Sequence, residues 1–382
     1  MKFTCKKDKL KNAISKIERI VSKQTSLPVL SNILIKTEKG RLVLMATNLE
    51  IAIKVFINAK VEEEGEVTVP PRILSGFLNN IKDDIVNSEV IDDKFYIKSE
   101  NHNIQIKTLN SKDFPIIPEM SEEYYFQIKA VNLIKAIGGV SVSVAVKDTR
   151  QEMNGICVKF EDDKLILAST DSFRLMEINL PILKDSVNDK YKEFLEKTRE
   201  IIMPGGIIPE IQQFNPENNI SIYVDENQIF FNDDGMQVTS QLINGRYPDY
   251  KQIIPTDCQI KVEFNKDEFL DAVKIASLVT NNQNGEVKIS KTKDEEFLTI
   301  TAQSVDLGEN ISTVNIENGK ESEFEIYFNH RYLIEGINSG LFANSDKILM
   351  KFEKEKSPVL FKAINKGEEV DSFLYMVMPI IK

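Results

Sequence analysis

Histidine is nearly missing from this chain of 382 residues, which has only His102 and His330, and cysteine is confined to Cys5, Cys157 and Cys258. Neither histidine stands with a serine or cysteine in a way that suggests a nucleophilic triad, although triad partners need not be close in sequence. The cysteines are far apart, each in a strand-like apolar stretch, and read as small buried hydrophobes without metal-ligand spacing. Gly-x-x-x-x-Gly-Lys-Ser/Thr is absent, as is Gly-x-Gly-x-x-Gly after a strand, so two common phosphate- and dinucleotide-binding signatures are missing. Carboxylates are plentiful, but no pair is singled out for acid-base work. The expectation is a protein that is not an enzyme and needs no metal or cofactor. No apolar run approaches the length of a membrane span. Met1-Lys2-Phe3-Thr4-Cys5-Lys6-Lys7 leads straight into a strand without the apolar core of a signal peptide, so a cytoplasmic location is expected.

What the chain does contain is a repeat. Lys164-Leu165-Ile166-Leu167-Ala168-Ser169-Thr170-Asp171 reads as a buried strand ending in an exposed polar turn, and Arg41-Leu42-Val43-Leu44-Met45-Ala46-Thr47-Asn48 has the same pattern. Moving 123 positions along the chain carries Leu42 onto Leu165, Leu44 onto Leu167, Thr47 onto Thr170 and Asn48 onto Asp171. The same shift carries Phe3 onto Phe126, Leu10 onto Leu133, Ala13 onto Ala136 and Ile14 onto Ile137. A weaker third copy places Val262, Phe269, Ala272 and Val273 in the roles of Phe3, Leu10, Ala13 and Ile14.

Each copy holds the strand-helix-strands pattern twice. The second helix of each copy begins at Pro70-Pro71-Arg72, at Pro204-Gly205-Gly206 with a helix expected from Ile207 to Phe214, and at Asn329-His330-Arg331. Lys39-Gly40, Asp162-Asp163, Asp233-Asp234-Gly235 and Glu317-Asn318-Gly319 read as hairpin-type turns. Asn265 with Glu268 suggests a capping box that opens a helix at Lys266. The fold class is therefore α+β with sheets dominant, in three copies spanning 1–121, 122–255 and 256–382. The stretch Lys184 to Glu200, rich in Lys and Glu, interrupts the second copy, and its composition leaves helix and loop equally open.

The formal net charge of −11 argues weakly against a nucleic-acid partner. Its distribution argues the other way. Acidic clusters such as Glu62-Glu63-Glu64 and Glu161-Asp162-Asp163 fall in turns, while the first helix and its flanks carry Lys6, Lys7, Lys9, Lys11, Lys16, Arg19 and Lys23. One basic helix is usually just a solvated face. Repeated helices lining a common surface could instead hold a polyanion while the acidic exterior repels it.

These residues resemble the bacterial replicative sliding clamps, the beta subunits of DNA polymerase III. The resemblance covers the whole chain. It rests on Leu27-Pro28-Val29-Leu30-Ser31-Asn32, Asp148-Thr149-Arg150 with Asn154-Gly155, Thr170-Asp171-Ser172-Phe173-Arg174-Leu175, Asn244-Gly245-Arg246-Tyr247-Pro248-Asp249-Tyr250 and the tail Tyr375-Met376-Val377-Met378-Pro379. It implies three clamp domains per chain, each a doubled β-α-β-β-β unit, in a head-to-tail homodimer ring with helices inside and sheets outside. Such a ring encircles duplex DNA without reading its sequence and tethers the polymerase III alpha subunit, the clamp loader and other partners.

Three surfaces follow from the resemblance. A partner-peptide pocket would use Met153, Thr170, Ser172, Phe173, Arg174, Leu175, Pro248, Gln252, Ile253, Met376, Val377, Met378, Pro379 and Ile380. As bare sequence the tail is equally an apolar core strand, but methionines suit a groove that receives many partners. A dimer seam would pair Ile104 and Ile106 with Leu278 and Val279, and the DNA-facing set would be Lys11, Lys23, Gln24, Arg72, Lys147 and Arg150. Gln24 and Gly205-Gly206 depart from the family's basic pattern there. Two other readings are a repeat-built protein-binding scaffold, which would not need the basic first helix, and an enzyme, which would need convergent titratable groups.

Overall fold

The opening strand, Lys2–Lys6, feeds helix α1, Lys7–Ile17, whose Leu10, Ala13, Ile14 and Ile17 recur at helical spacing and are all buried. In the computed structural model, residues 1–21, 27–119, 124–280 and 285–382 are described. Lys23 and Gln24 lie outside them. The remaining helices are α2 (Pro71–Asn80), α3 (Ala130–Ser141), α4 (Asp189–Lys197), α5 (Ile208–Ile211), α6 (Lys266–Ser277) and α7 (His330–Ile337).

The chain forms two compact units. The first comprises 1–131, 183–192 and 209–242, and the second the rest, so both cut through the middle copy. In the first unit an eight-stranded sheet runs in the order Phe126–Lys129, Asn219–Val224, Gln228–Asn232, Met236–Gln241, Ile51–Asn58, Arg41–Thr47, Ile33–Glu38, Glu66–Val69. A five-stranded sheet beside it ends on the edge strand Asn103–Lys107. In the second unit a nine-stranded sheet contains Gly155–Phe160, Lys164–Thr170, Arg174–Pro181 and Phe373–Val377 in that spatial order. Its companion is a four-stranded sheet that ends on Gly308–Asn315.

The repeat is realised pair by pair. Leu44 faces Val55 and Thr47 faces Ala52 in one antiparallel pairing, and Leu167 faces Ile178 and Thr170 faces Leu175 in the other. Asn265 caps α6, its Oδ1 accepting from the backbone N–H of Asp267 (2.9 Å) and Glu268 (3.0 Å).

Three expectations are corrected or sharpened. Glu317-Asn318-Gly319 does not join a hairpin, because Gly308–Asn315 and Phe324–Asn329 lie at opposite edges of their sheet. The chain crosses there to strand Ile260–Asn265, where Glu317 N–H donates to the Glu263 carbonyl at 2.9 Å. Gly319 sits at φ +82°, and a Cβ on it would stand 2.5 Å from the Lys261 carbonyl oxygen, so only glycine passes. The helix expected from Ile207 to Phe214 is a 3₁₀ turn, Gly205–Ile207, followed by the single turn α5. Its Glu210 is buried and hydrogen-bonded to Gln213, with burial pushing its carboxyl pKa up against the opposing pull of Arg19. The interruption at Lys184 to Glu200 is ordered around α4, because Tyr191, 1% exposed, packs edge-on against Phe126 at 4.7 Å.

Candidate functional site

Strand Lys164–Thr170 turns into strand Arg174–Pro181 through a loop that its own side chains tie. Asp171 Oδ1 accepts from the N–H of Phe173 (3.0 Å) and Arg174 (2.9 Å), and Thr170 Oγ1 accepts from Ser172 N–H (3.1 Å). Ser172 sits at φ +75°, a conformation that turns the chain sharply at the cost of local strain. The consequence is an aromatic in solvent: Phe173 is 58% exposed.

Arg174 anchors the arrangement. Its Nε donates to Asp171 Oδ2 (2.9 Å), its Nη1 to Glu335 Oε2 (2.6 Å), and its guanidinium lies 4.6 Å from the Tyr332 ring centroid. Burial opposes the charge, but Tyr375, Glu335 and Asp171 outweigh it and raise the guanidinium pKa. Phe173 stacks on the other residue of this α7 face, with its ring 6.2 Å from that of Tyr332 and nearly parallel. Helix α7 can come this close because residue 336 is glycine, where a Cβ would stand 2.0 Å from the Tyr375 ring. Tyr375 then donates its hydroxyl to the Tyr332 carbonyl at 2.7 Å.

The tail forms the other wall. Val377 faces Arg174 and Met376 faces Leu175 in the sheet, after which Met378 N–H donates to the Phe173 carbonyl at 2.8 Å. Ile380 N–H donates to the Tyr327 carbonyl at 2.7 Å, and Lys382 Nζ reaches Glu286 at 2.7 Å while lying 3.9 Å from the Tyr327 ring centroid. Beneath both walls Leu175, Met376, Tyr247, Tyr250, Cys157 and Ala168 pack as one cluster, with Met378 partly buried against it. Tyr247 is more than filler, since its hydroxyl accepts from Thr170 N–H at 3.1 Å. Burial pushes the Tyr247 phenol up, so it stays neutral. The product is an apolar floor with an exposed aromatic, a thioether and a held cation at its rim. Such a surface takes an extended peptide's apolar side chains and polar backbone together.

Of the expected pocket residues, Met153, Thr170, Leu175, Met376, Val377 and Pro379 are buried, and Leu175 and Met376 belong to the cluster beneath the loop. Arg174, Pro248, Met378 and Ile380 are half-buried, while Ser172, Phe173, Gln252 and Ile253 are exposed. Gln252 turns to Asp249 at 2.9 Å. Arg150 pairs with Asp148 at 3.1 Å and donates to Ser172 Oγ at 2.9 Å, so it braces the loop. Lys11, Arg72 and Lys147 are exposed and enter no ion pair among the described residues. On the expected seam Leu278 is 75% exposed, but Ile106 is only 2% exposed and belongs to the core of its own sheet. Ile104 and Val279 are half-buried. Among the described residues no group of three His, Cys, Asp or Glu side chains could hold a metal ion.

Three family models match in succession: the N-terminal domain of the DNA polymerase III beta subunit over residues 1–118, its central domain over 127–249 and its C-terminal domain over 251–380. The chain belongs to the DNA polymerase III beta subunit family. Among curated relatives, the beta sliding clamp of Synechococcus elongatus is 25% identical, and that of Chlamydia pneumoniae 26%, each match covering 100% of this chain and 99% of the relative. Among solved structures, the DNA polymerase sliding clamp of Bacillus subtilis aligns with a TM-score of 0.89 at 23% identity, over 100% of this chain and 99% of that one. The beta subunit from DNA polymerase of Streptococcus pyogenes gives 0.90 at 20%, with both chains fully covered. At such identities the solved structures speak for the fold.

Within this family frame, sequence reasoning missed Tyr332, Glu335 and the buried role of Tyr247. The last stood inside the quoted Asn244–Tyr250 motif. Tyr332 and Glu335 are three apart on a helix and so share a face, but nothing in the sequence says that this face meets Arg174. The exposed apolar residues Val305, Leu307 and Ile311, at and beside the edge strand Gly308–Asn315, were also missed.

Proposed function

We propose that this protein is a sliding clamp: a non-catalytic, cytoplasmic head-to-tail dimer that encircles duplex DNA and tethers the replicative polymerase and other proteins to it. The observation that carries the reading is the exposed Phe173 beside the tethered Arg174 and the tail at Met378, in a chain whose three successive domains all match one family. Domain boundaries near 121 and 255 suit that reading. So do two exposed sheet edges, Asn103–Lys107 and Gly308–Asn315, since an unpaired edge with apolar neighbours needs covering and ring closure covers it. Ile104 and Leu278 then belong to the seam.

Exposed Lys9 and Lys11 on α1 and Arg72 on α2 supply sequence-independent phosphate contacts. Weak contacts suffice, because topology supplies the residence time. The groove receives short peptides from the polymerase alpha subunit and from the clamp loader.

The test is loading onto nicked circular duplex DNA with the cognate loader and ATP, followed by linearisation. Retention on the circle at high salt with loss on linearisation is expected. Release by salt from the intact circle, indifferent to linearisation, would replace the ring by ordinary electrostatic binding and favour the protein-binding scaffold.

A further inference from the structure

In the first unit a cavity of about 550 Å³ lies between the outer face of the eight-stranded sheet and the strap Ser111–Glu119. Its volume is in the range that holds small molecules. Strand pairing fixes the floor: Met45 stands opposite Lys54 and Val43 opposite Phe56, with Lys36 beyond Val43 on the same face. Leu34, Met45, Phe114 and Ile116 give one part of the lining an apolar character, and Ile116 is left 95% exposed on the strap.

Two cations on this floor are incompletely matched. Lys54 is 7% exposed, and among the described residues its ammonium pairs with Glu119, at 3.6 Å on a side chain that is itself 85% exposed. That separation is too long for a hydrogen bond. Arg41 reaches across Phe56, its guanidinium 4.4 Å from the ring centroid, and its buried Nε–H has no acceptor among the described residues. Native interiors seldom leave such groups unpaired. Burial pushes the Lys54 pKa down, and Glu119 opposes that only in part, which is how a desolvated ammonium short of partners behaves.

The second copy shows the same place filled. The shift of 123 carries Lys36 onto Lys159 and Lys54 onto Glu177. There the Tyr250 ring lies 5.0 Å beneath the Lys159 ammonium, and Lys251 Nζ sits 2.7 Å from Glu177 Oε1. A ring and a matched pair thus occupy what the first copy leaves open.

We propose that this cavity binds a small monocarboxylate with an apolar tail, its carboxylate meeting Lys54 and Arg41 and its tail lying against Met45, Phe114 and Ile116. One negative charge is the right number. Among the described residues the lining carries Lys36, Arg41, Lys54 and Lys112 against Glu38, Glu66 and Glu119, a formal excess of a single positive charge, which disfavours a polyphosphate. In this arrangement Glu119 is an intramolecular competitor for the site.

The experiment uses the full chain with octanoate as probe and octanol as the uncharged control, followed by ligand-detected NMR and calorimetry. Saturable octanoate binding is expected, with octanol weaker by roughly tenfold, the ratio expected of one charge-assisted contact. Lys54→Met and Arg41→Gln should each weaken octanoate by about tenfold or more, and Glu119→Gln should strengthen it several-fold. Because Glu119 is exposed, its variant keeps the fold and remains informative if Lys54→Met does not. Phe173→Ala should leave octanoate binding unchanged, which separates this site from the peptide groove. Equal binding of octanol, indifference to both cation variants, or no gain in Glu119→Gln would each overturn the assignment.

Discussion

The loop at Thr47–Ile51 and the loop at Thr170–Arg174 are built on one plan and end in different surfaces. Asn48 Oδ1 accepts from Glu50 N–H (3.0 Å) and Ile51 N–H (2.7 Å), as Asp171 does from Phe173 and Arg174. Leu49 takes φ +78° and donates to Thr47 Oγ1, where Ser172 takes +75° and donates to Thr170 Oγ1. Even the neighbouring strand arrives alike, with Gln241 N–H on the Glu50 carbonyl and Met378 N–H on the Phe173 carbonyl.

The side chains differ. In the first loop Ile51 is buried and the Gln241 side chain closes back on the Leu49 carbonyl at 2.9 Å. In the second, Arg174 is held between Asp171 and Glu335, with Phe173 exposed over Tyr332. Aligned on the helix starts Pro204 and Asn329, the positions of Tyr332 and Glu335 hold Ile207 and Glu210, so no ring stands there and the carboxylate is buried against Gln213. A shared backbone thus supplies a platform twice, and the second carries the held cation and the exposed aromatic.

Exchanging residues between the loops tests this comparison. The largest effect is expected from Arg174→Ile, the residue found in the first loop, because it strips Asp171 and Glu335 of their partner and removes the rim cation. A labelled peptide from the clamp-binding segment of the cognate polymerase should lose about 2–4 kcal/mol of affinity by fluorescence anisotropy. Undiminished affinity would mean that the groove lies elsewhere. Phe173→Glu, again the first loop's residue, should cost about 2 kcal/mol in the same assay with little change in thermal stability, since the side chain it replaces is already exposed.

Tyr247→Phe probes the support beneath the loop. It leaves Thr170 N–H without its acceptor and should lower unfolding stability by about 1–2 kcal/mol in a denaturant titration. A neutral result would reduce Tyr247 to a space-filler, the role Phe114 has against Leu34 and Ala52 in the first copy. The smallest effect belongs to Lys382→Gln, which loosens the tail from Glu286 and the Tyr327 ring. A loss of about 0.5 kcal/mol in peptide affinity is expected. It should come with faster amide exchange at Ile380, and unchanged exchange there would show that the Tyr327 carbonyl holds the tail alone.

Much of this was legible beforehand for physical reasons. Alternation of apolar residues marked the strands, and the single register of 123 residues announced a repeat because each copy must bury the same face in the same way. The exposed polar turn at Thr170-Asp171 was visible because the apolar run stops there, while its hydrogen bonds were seen only in the structure. Other features were not. Glu317-Asn318-Gly319 has a hairpin's composition, yet only the pairing of strands far apart in sequence shows that it links opposite edges of one sheet. Ile106 alternates like a seam residue, but burial inside its own sheet depends on what covers that face.

The sequence by itself determined the repeat, the α+β class and the strand-loop-strand platform, because these follow from local periodicity and short-range hydrogen bonding, and its motifs carried the resemblance to the family. Tertiary structure alone decided which platform gained the held cation and the exposed aromatic. That choice rests on α7 meeting Arg174 from more than 150 residues away, admitted by the missing Cβ of Gly336, and on the tail pairing beside Leu175. Contacts of this range are set by which faces pack together, and local sequence carries no record of that.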